Sequence, residues 1–353
     1  MMQLDFSKPL TEIIQDLQTQ QESWVIDILN FVEEWNNESE SLEVQTSGTT
    51  GKAKHILVQK EWMRYSASNT ISYFGLTVGQ TALLALSSHF IAGKMMLVRA
   101  IEAKLKLWIC PPYDISILND PIQIDFCPLV PLQAEKYFNQ LHKITHLLLG
   151  GAPVSEALEH NLRKLPIHVY QSFAMTETLS HFAIRNISNQ DPFYTIFESI
   201  NFGVNEHECL WIEAPKLGQE FIQTTDVVEL VDRGFIWKQR SDFVINSGGI
   251  KFNPEVLEKK CDFLAKRGWD FIFSARPDPK LGHKLVLVVE QSSIDNIGER
   301  LQKVDFNLES YSIPKQLYLV QELPRTSFSQ KVRRLKYELI FEDKNVISVY
   351  DIL

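Results

Sequence analysis

Between residues 46 and 54 the chain reads Thr46-Ser47-Gly48-Thr49-Thr50-Gly51-Lys52-Ala53-Lys54. Hydroxyl residues and glycines run unbroken into the lysines, giving a strip of backbone N–H groups, O–H donors and ammonium groups. Glycine lets the backbone approach a ligand closely. A polyphosphate is the anion such a strip suits. The spacing is not that of a P-loop NTPase, because only two residues separate Gly48 from Gly51 and Ala53 follows Lys52. A plain polar hairpin loop would account for one Ser-Gly-Thr tripeptide, but not for the whole run.

Further segments carry chemistry. Gly150-Gly151-Ala152-Pro153 follows an apolar stretch; it reads either as a simple strand-to-helix turn or as a ligand site at a strand's C-terminal end. Phe173-Ala174-Met175-Thr176-Glu177-Thr178 offers a ring to stack on a base, a hydroxyl for a phosphate and a carboxylate for Mg²⁺. Asp226 follows Thr224-Thr225, and Arg240 lies fourteen residues on; they suit a ribose diol, or are a surface acid and base with no shared ligand. Arg99 is either a fixed guanidinium for a second substrate carboxylate or a surface arginine on an amphipathic helix. His89 either touches substrate or is a wall or core histidine.

Short apolar runs alternate with amphipathic ones, and these elements must position the groups. Leu42–Gln45 and His55–Val58 read as strands on either side of the Thr46–Lys54 loop. The first forty residues read as helical, then Lys60–Phe74 as helix, Thr81–Leu86 as strand, His89–Ala103 as helix and Lys106–Cys110 as strand. Gln133–Leu141 follows as helix, His146–Leu149 as strand, Ser155–Lys164 as a helix capped by Ser155, and Ile167–Tyr170 as strand. This is an α/β layered domain with a mostly parallel sheet. From about Phe193 short strands predict a small antiparallel subdomain: Glu208–Ala214, Glu220–Thr224, Val227–Val231 and Phe235–Lys238. A smaller α+β module follows, with helices at Asn253–Phe263, Asp295–Val304 and Val332–Ile340 and strands at Phe271–Ser274, Lys284–Val289 and Gln316–Val320. The expected domains are 1–240 and 241–353, a size that suits two folding units.

A net charge of −9 over 353 residues disfavours nucleic acid or an anionic membrane as the main partner. Cys110, Cys127, Cys209 and Cys261 are far apart with no CxxC pair, which argues against zinc or a disulfide framework and fits a reducing compartment. No signal-peptide pattern opens the chain, and His89, Lys94 and Arg99 interrupt its most apolar region. A cytoplasmic protein is expected.

In their order, these segments resemble the AMP-forming acyl-CoA synthetase (adenylate-forming) superfamily, from Thr46 to Arg334. The resemblance implies that Thr46–Lys54 is the phosphate loop and that Gly150–Pro153 and Phe173–Thr178 serve adenine, phosphate and magnesium. It implies that Asp226 binds ribose, that Arg240 and Asp242 are the Arg-x-Asp of the domain junction, and that Lys331, after Pro324-Arg325-Thr326, is the catalytic lysine. Arg333 and Arg334 read as a solvated helix face. Ala53, Thr225, Gln239 and Gln330 depart from the family pattern, three of them where glycine is usual, and none removes a charge. Only 45 residues precede the phosphate loop, fewer than is usual, so one side of the acyl pocket or a dimer surface should differ. Within the superfamily, Asn246-Ser247-Gly248-Gly249-Ile250-Lys251 and the His89–Arg99 stretch resemble the o-succinylbenzoate–CoA ligases of menaquinone biosynthesis.

The implied reaction has two halves. A carboxylate attacks the α-phosphorus of MgATP to give acyl-adenylate, with Lys331, Thr176 and Glu177 at the reacting phosphates. Coenzyme A then displaces AMP after the C-terminal domain turns about Asp242, bringing Ser247, Gly248, Gly249 and Lys251 to the CoA side. Rival readings are another fatty or aryl acyl-CoA synthetase, a stand-alone adenylation enzyme, or an inactive nucleotide-binding protein. A homo-oligomer would be compatible with any of them.

Overall fold

The computed structural model describes residues 2–45, 55–112, 114–291, 304–306, 308–325 and 346–352. Contacts divide the chain into two units: Met1–Thr224 with Val228–Trp237, and Thr225–Val227 with Lys238–Leu353.

The first unit opens with β1 (Met2–Asp5), α1 (Leu10–Gln18) and α2 (Ser23–Asn36). The expectation of an all-helical start is corrected by β1. Its single buried side chain, Leu4, carried too little pattern to be read as a strand. Asp5 ends the strand by accepting hydrogen bonds from the Ser7 hydroxyl (2.6 Å) and backbone N–H (3.1 Å). Next come β2 (Ser41–Gln45), β3 (His55–Gln59) and α3 (Lys60–Phe74). β2 and β3 pair antiparallel, Gln45 opposite His55, the two strands expected there. Lys60 is buried at the start of α3, and its ammonium donates to Trp35 O, Asn37 O and Asn37 Oδ1, each at 3.0 Å. It thereby occupies carbonyls left open at the C-terminal end of α2.

Helix and strand then alternate: β4 (Thr81–Leu84), α4 (Ile91–Ala103), β5 (Lys106–Ile109), β6 (Ile124–Leu129), α5 (Pro131–Lys136), β7 (Ile144–Leu149), α6 (Glu156–Leu162) and β8 (His168–Ala174). Strands β4 to β8 pair parallel in the order β5-β4-β6-β7-β8. Alternate residues feed two cores, Ala82 and Leu84 into one and Leu83 and Ala85 into the other. Burial on both faces is why these strands read as continuous apolar runs. β6 escaped the sequence reading because Pro128 interrupts it.

Six further strands extend the same sheet: β9 (His181–Asn186), β10 (Tyr194–Ile196), β11 (Asn201–Val204), β12 (Cys209–Ala214), β13 (Gln219–Val231) and β14 (Gly234–Arg240). The full order is β1-β5-β4-β6-β7-β8-β9-β10-β14-β13-β12-β11. The antiparallel part is therefore a continuation of the sheet and not a separate layer, with β8 and β9 making the change of direction. The two short strands expected around Thr225 are one strand of 13 residues.

The second unit holds β15 (Ile245–Ser247), β16 (Ile250–Phe252), α7 (Pro254–Lys260), α8 (Asp262–Lys266), β17 (Phe271–Asp278), β18 (Gly282–Glu290), β19 (Gln316–Val320) and β20 (Val346–Asp351). Four strands form a mixed sheet in the order β17-β18-β19-β20, and Leu257, Leu264 and Trp269 pack into the core on it. The helices expected at Asp295–Val304 and Val332–Ile340 fall on stretches that reach outside the described residues. Among the described residues, no helix is long and apolar enough to cross a membrane.

Candidate active site

Strands β7 and β8 run parallel with Leu149 opposite Gln171, so the segments following them lie side by side. The Ser172 hydroxyl donates to Leu149 O at 3.0 Å, and a Cβ placed on Gly150 would stand 2.5 Å from that hydroxyl. Only glycine leaves room for the contact. Gly151, Ala152 and Pro153 complete the turn, and the Ser155 hydroxyl caps α6 by accepting from Leu158 N at 3.2 Å. The Phe173 ring packs edge-on against Phe182, Tyr194 and Phe235, at centroid distances of 5.6, 5.3 and 5.0 Å. Those contacts hold the half-buried ring in one orientation.

Beyond β8 the chain turns sharply. Leu179 N donates to Thr176 O at 2.9 Å and Ser180 N to Thr178 O at 2.7 Å, with Leu179 in the left-handed region at φ 63°. A leucine there is strained, and its burial holds the turn in place. The turn leaves Thr176 half-buried and Glu177 exposed. Among the described residues, no cluster of three or more His, Cys, Asp or Glu side chains could cage a metal. A lone exposed carboxylate still fits Mg²⁺, which keeps several waters and takes its remaining ligands from substrate phosphates.

The sheet's switch point lies between β4 and β6, whose connections run in opposite directions, and open α/β sheets bind ligands outside such points. Gln133 spans it: its amide oxygen accepts from Val130 N and its amide nitrogen donates to Ala85 O, both at 2.9 Å. His89, in the loop after β4, lines a cavity of about 280 Å³ together with Asp27, Phe31, Glu34, Glu43 and Lys94. Arg99 is not part of that lining.

Arg99 is not a surface arginine. It is 2 % exposed, and burial pulls its guanidinium down to about 9, still charged at neutral pH. Its Nη2 donates to the Ser180 hydroxyl at 2.6 Å, which ties α4 to the Thr176–Ser180 turn. Its Nε has no hydrogen-bond partner among the described residues. Ser180 Oγ lies 3.2 Å from His181 Nδ1, and His181 Nε2 lies 3.2 Å from Thr70 Oγ1 on α3. Sequence reasoning missed Thr70, Gln133, Ser180 and His181. Ser180 and His181 stand two and three residues after Thr178, but nothing local ties them to residues 81 and 111 positions away.

Asp226, Arg240 and Asp242 fall within the second unit. Asp226 is buried on β13, and the Ser241 hydroxyl donates to neighbouring Thr225 O at 3.1 Å. Arg240 binds Asp242 by Nε and Nη2, and this hydrogen bonding, despite partial burial and with the Asp226 charge adding to it, raises the guanidinium above its ordinary range. Ser247 and Lys251 stand on β15 and β16, joined by Gly248 and Gly249 at φ 61° and 84°. Two consecutive positive φ angles make this a hairpin turn that glycine suits. Thr46, Ser47, Gly48, Thr49, Thr50, Gly51, Lys52, Lys54 and Lys331 lie outside the described residues.

A parallel-rich sheet ending in these turns, followed by a small mixed-sheet unit, defines a class. The family model of the AMP-binding enzyme matches residues 8–198, and the chain belongs to that family of AMP-forming ligases. An acyl-CoA synthetase (AMP-forming)/AMP-acid ligase II-like protein of Dyadobacter fermentans is 31% identical, the match covering 90% of this chain and 95% of that one, with a TM-score of 0.61. The chain is also similar to a 2-succinylbenzoate–CoA ligase of Listeria monocytogenes, 25% identical over 87% of this chain and 71% of that one. The o-succinylbenzoate CoA synthetase of Bacillus subtilis, solved with the acyl-adenylate OSB-AMP, shares the fold at a TM-score of 0.74 and 18% identity, covering 98% of this chain and 83% of that one.

Proposed function

We propose that this protein is an ATP-dependent CoA ligase acting on o-succinylbenzoate, the step to o-succinylbenzoyl-CoA in menaquinone biosynthesis. Arg99 carries the choice of acid. It is a buried cation whose described partner is a hydroxyl and not a carboxylate. Burying a cation without a counter-charge is costly, and a second carboxylate on the substrate supplies that charge at a guanidinium suited to it. The similarity to 2-succinylbenzoate–CoA ligases supports the same acid.

In the first half-reaction a substrate carboxylate oxygen bonds to the α-phosphorus of ATP and pyrophosphate leaves. Thr46–Lys54 hold the β- and γ-phosphates, and Gly150–Pro153 and Phe173 seat the adenine. Thr176 donates to the α-phosphate, Glu177 is the one carboxylate offered to Mg²⁺, and Asp226 and Arg240 hold the ribose. Lys331 meets the oxygens where charge builds; losing one such preorganised donor costs on the order of 10²–10³ in rate. In the second half the CoA thiolate attacks the acyl carbonyl and AMP leaves. Asp242 is the hinge between the two, with Ser247, Gly248, Gly249 and Lys251 serving the CoA side.

The test is pyrophosphate release with ATP and CoA, comparing o-succinylbenzoate with benzoate and octanoate. Preference for o-succinylbenzoate that disappears in Arg99→Leu supports the reading. Equal turnover of octanoate, or release without any acid preference, refutes the substrate.

A further inference from the structure

Four side chains, three of them buried and Ser180 half-buried, form a line that leads from α3 to Arg99. The separations are 2.6 Å from Arg99 Nη2 to Ser180 Oγ, 3.2 Å from Ser180 Oγ to His181 Nδ1, 3.2 Å from His181 Nε2 to Thr70 Oγ1, and 3.4 Å from Thr70 Oγ1 to Ser66 O. Thr70 and His181 are both buried. The end groups set the direction of every proton, because a guanidinium only donates and a carbonyl only accepts. Thr70 gives its proton to Ser66 O and so accepts from His181 Nε2–H. That leaves Nδ1 as an acceptor for the Ser180 hydroxyl, whose lone pairs accept from Arg99. The reverse tautomer would leave the Ser180 proton with nowhere to go.

We propose that His181 is a positioning residue for acid selection: as a neutral Nε2–H imidazole held by Thr70, it fixes Ser180 and hence Arg99, leaving Arg99 Nε for the substrate's second carboxylate. The proposal rests on the reading that Arg99 meets that carboxylate. A hydroxyl is a loose anchor when it can rotate, and a guanidinium bound to it can adopt other rotamers. Locking the hydroxyl with one acceptor removes that freedom before substrate arrives, as preorganisation requires. Burial, with the Arg99 charge second, pushes His181 well below its ordinary 6.5, so the ring stays neutral beside the cation. Among the described residues, Arg99 is the charged group acting on it.

The experiment compares kcat/KM for o-succinylbenzoate and for 4-oxo-4-phenylbutanoate, which lacks the ring carboxylate, in the full chain. Wild type should favour the diacid and Arg99→Leu should abolish the ratio. His181→Leu should raise KM for the diacid about tenfold, the scale of a hydrogen bond to a charged group, with KM for ATP within about twofold. His181→Gln, whose amide offers both an acceptor and a donor, should restore the ratio. Thr70→Val, nearly isosteric, should lose part of it. Nitrogen-15 spectra of wild-type His181 should report a neutral Nε2–H ring at pH 6. A folded His181→Leu that keeps the wild-type ratio, or loses both acids equally, overturns the relay, as does a protonated ring at pH 6. If His181→Leu does not fold, Thr70→Val with an unchanged ratio overturns it alone. An Arg99→Leu variant that keeps the ratio instead removes the acid assignment, and the relay's role with it.

Discussion

The Arg240 guanidinium grips the carboxylate of Asp242, two residues along the chain, through Nε at 2.9 Å and Nη2 at 2.7 Å. The group proposed for ribose and the group proposed as hinge therefore hold one another. Both side chains are about a third exposed, so the pair contributes on the order of 0–1 kcal/mol and can open at little cost. Asp242→Ala should change KM for ATP by about threefold or less, because it frees Arg240 without removing it. Asp242→Pro should leave ATP–pyrophosphate exchange nearly intact while thioester formation falls about tenfold or more, the hinge being a few residues that absorb backbone change. Equal loss of both rates in Asp242→Pro contradicts the hinge.

Arg99 should trade stability for chemistry. Keeping a cation buried without a counter-charge costs the folded state several kcal/mol, which an apolar side chain of similar length does not incur. Arg99→Met should therefore melt at or above the wild-type temperature while losing the o-succinylbenzoate preference. A melting point lowered by more than about 5 °C, on the order of 2 kcal/mol on a chain of this size, would make Arg99 a structural residue.

Lys60 closes the C-terminal end of α2 with three hydrogen bonds from one buried ammonium. Lys60→Met keeps the length of the side chain but leaves those acceptors unsatisfied, at a cost of about 1–3 kcal/mol. Urea titration should show an earlier midpoint with an unchanged slope. An unshifted midpoint would mean that water replaces the ammonium without loss.

Glu159 on α6 accepts from Arg185 Nη1 at 3.2 Å and Nη2 at 2.6 Å, and from Arg163. Burial alone would raise this carboxyl, but the bonds and charges of the two arginines outweigh it and hold it below its ordinary 4.5. A depressed carboxyl stabilises the folded state above the unfolded pKa, and that stability is lost as pH falls through the folded value. Wild type should lose stability as pH drops below about 4.5, and Glu159→Gln should flatten that part of the curve. Parallel curves for the two proteins would show that the pair contributes nothing to acid sensitivity.

What the sequence made legible divides along physical lines. Lys60–Phe74 and Gln316–Val320 were bounded correctly, the one by helical periodicity and the other by a compact apolar run. The Gly150 and Thr176–Glu177 turns fall at strand ends because apolar runs precede them. Pro128 hid β6, and four residues with one buried side chain hid β1. Thr225 and Asp226 looked like a break because polar residues sit mid-strand in β13. The fate of Arg99 was beyond local pattern, since Val98 and Ala100 flank it in either reading and only the packing of α4 against the Ser180 turn decides its burial. Ser180 and His181 were visible as letters, but their partners on α3 and α4 come from the fold.

Gln133 bears on how the cleft keeps its shape. At the divide between β4 and β6, where the crossovers part company and a layered sheet is most apt to gape, the Gln133 carboxamide bridges the two lips. Unlike an ion pair, an amide has no proton to gain or lose in the working range and little to fear from salt. Acid, alkali or a change of ionic strength would thus reach the charged walls long before they loosened the floor.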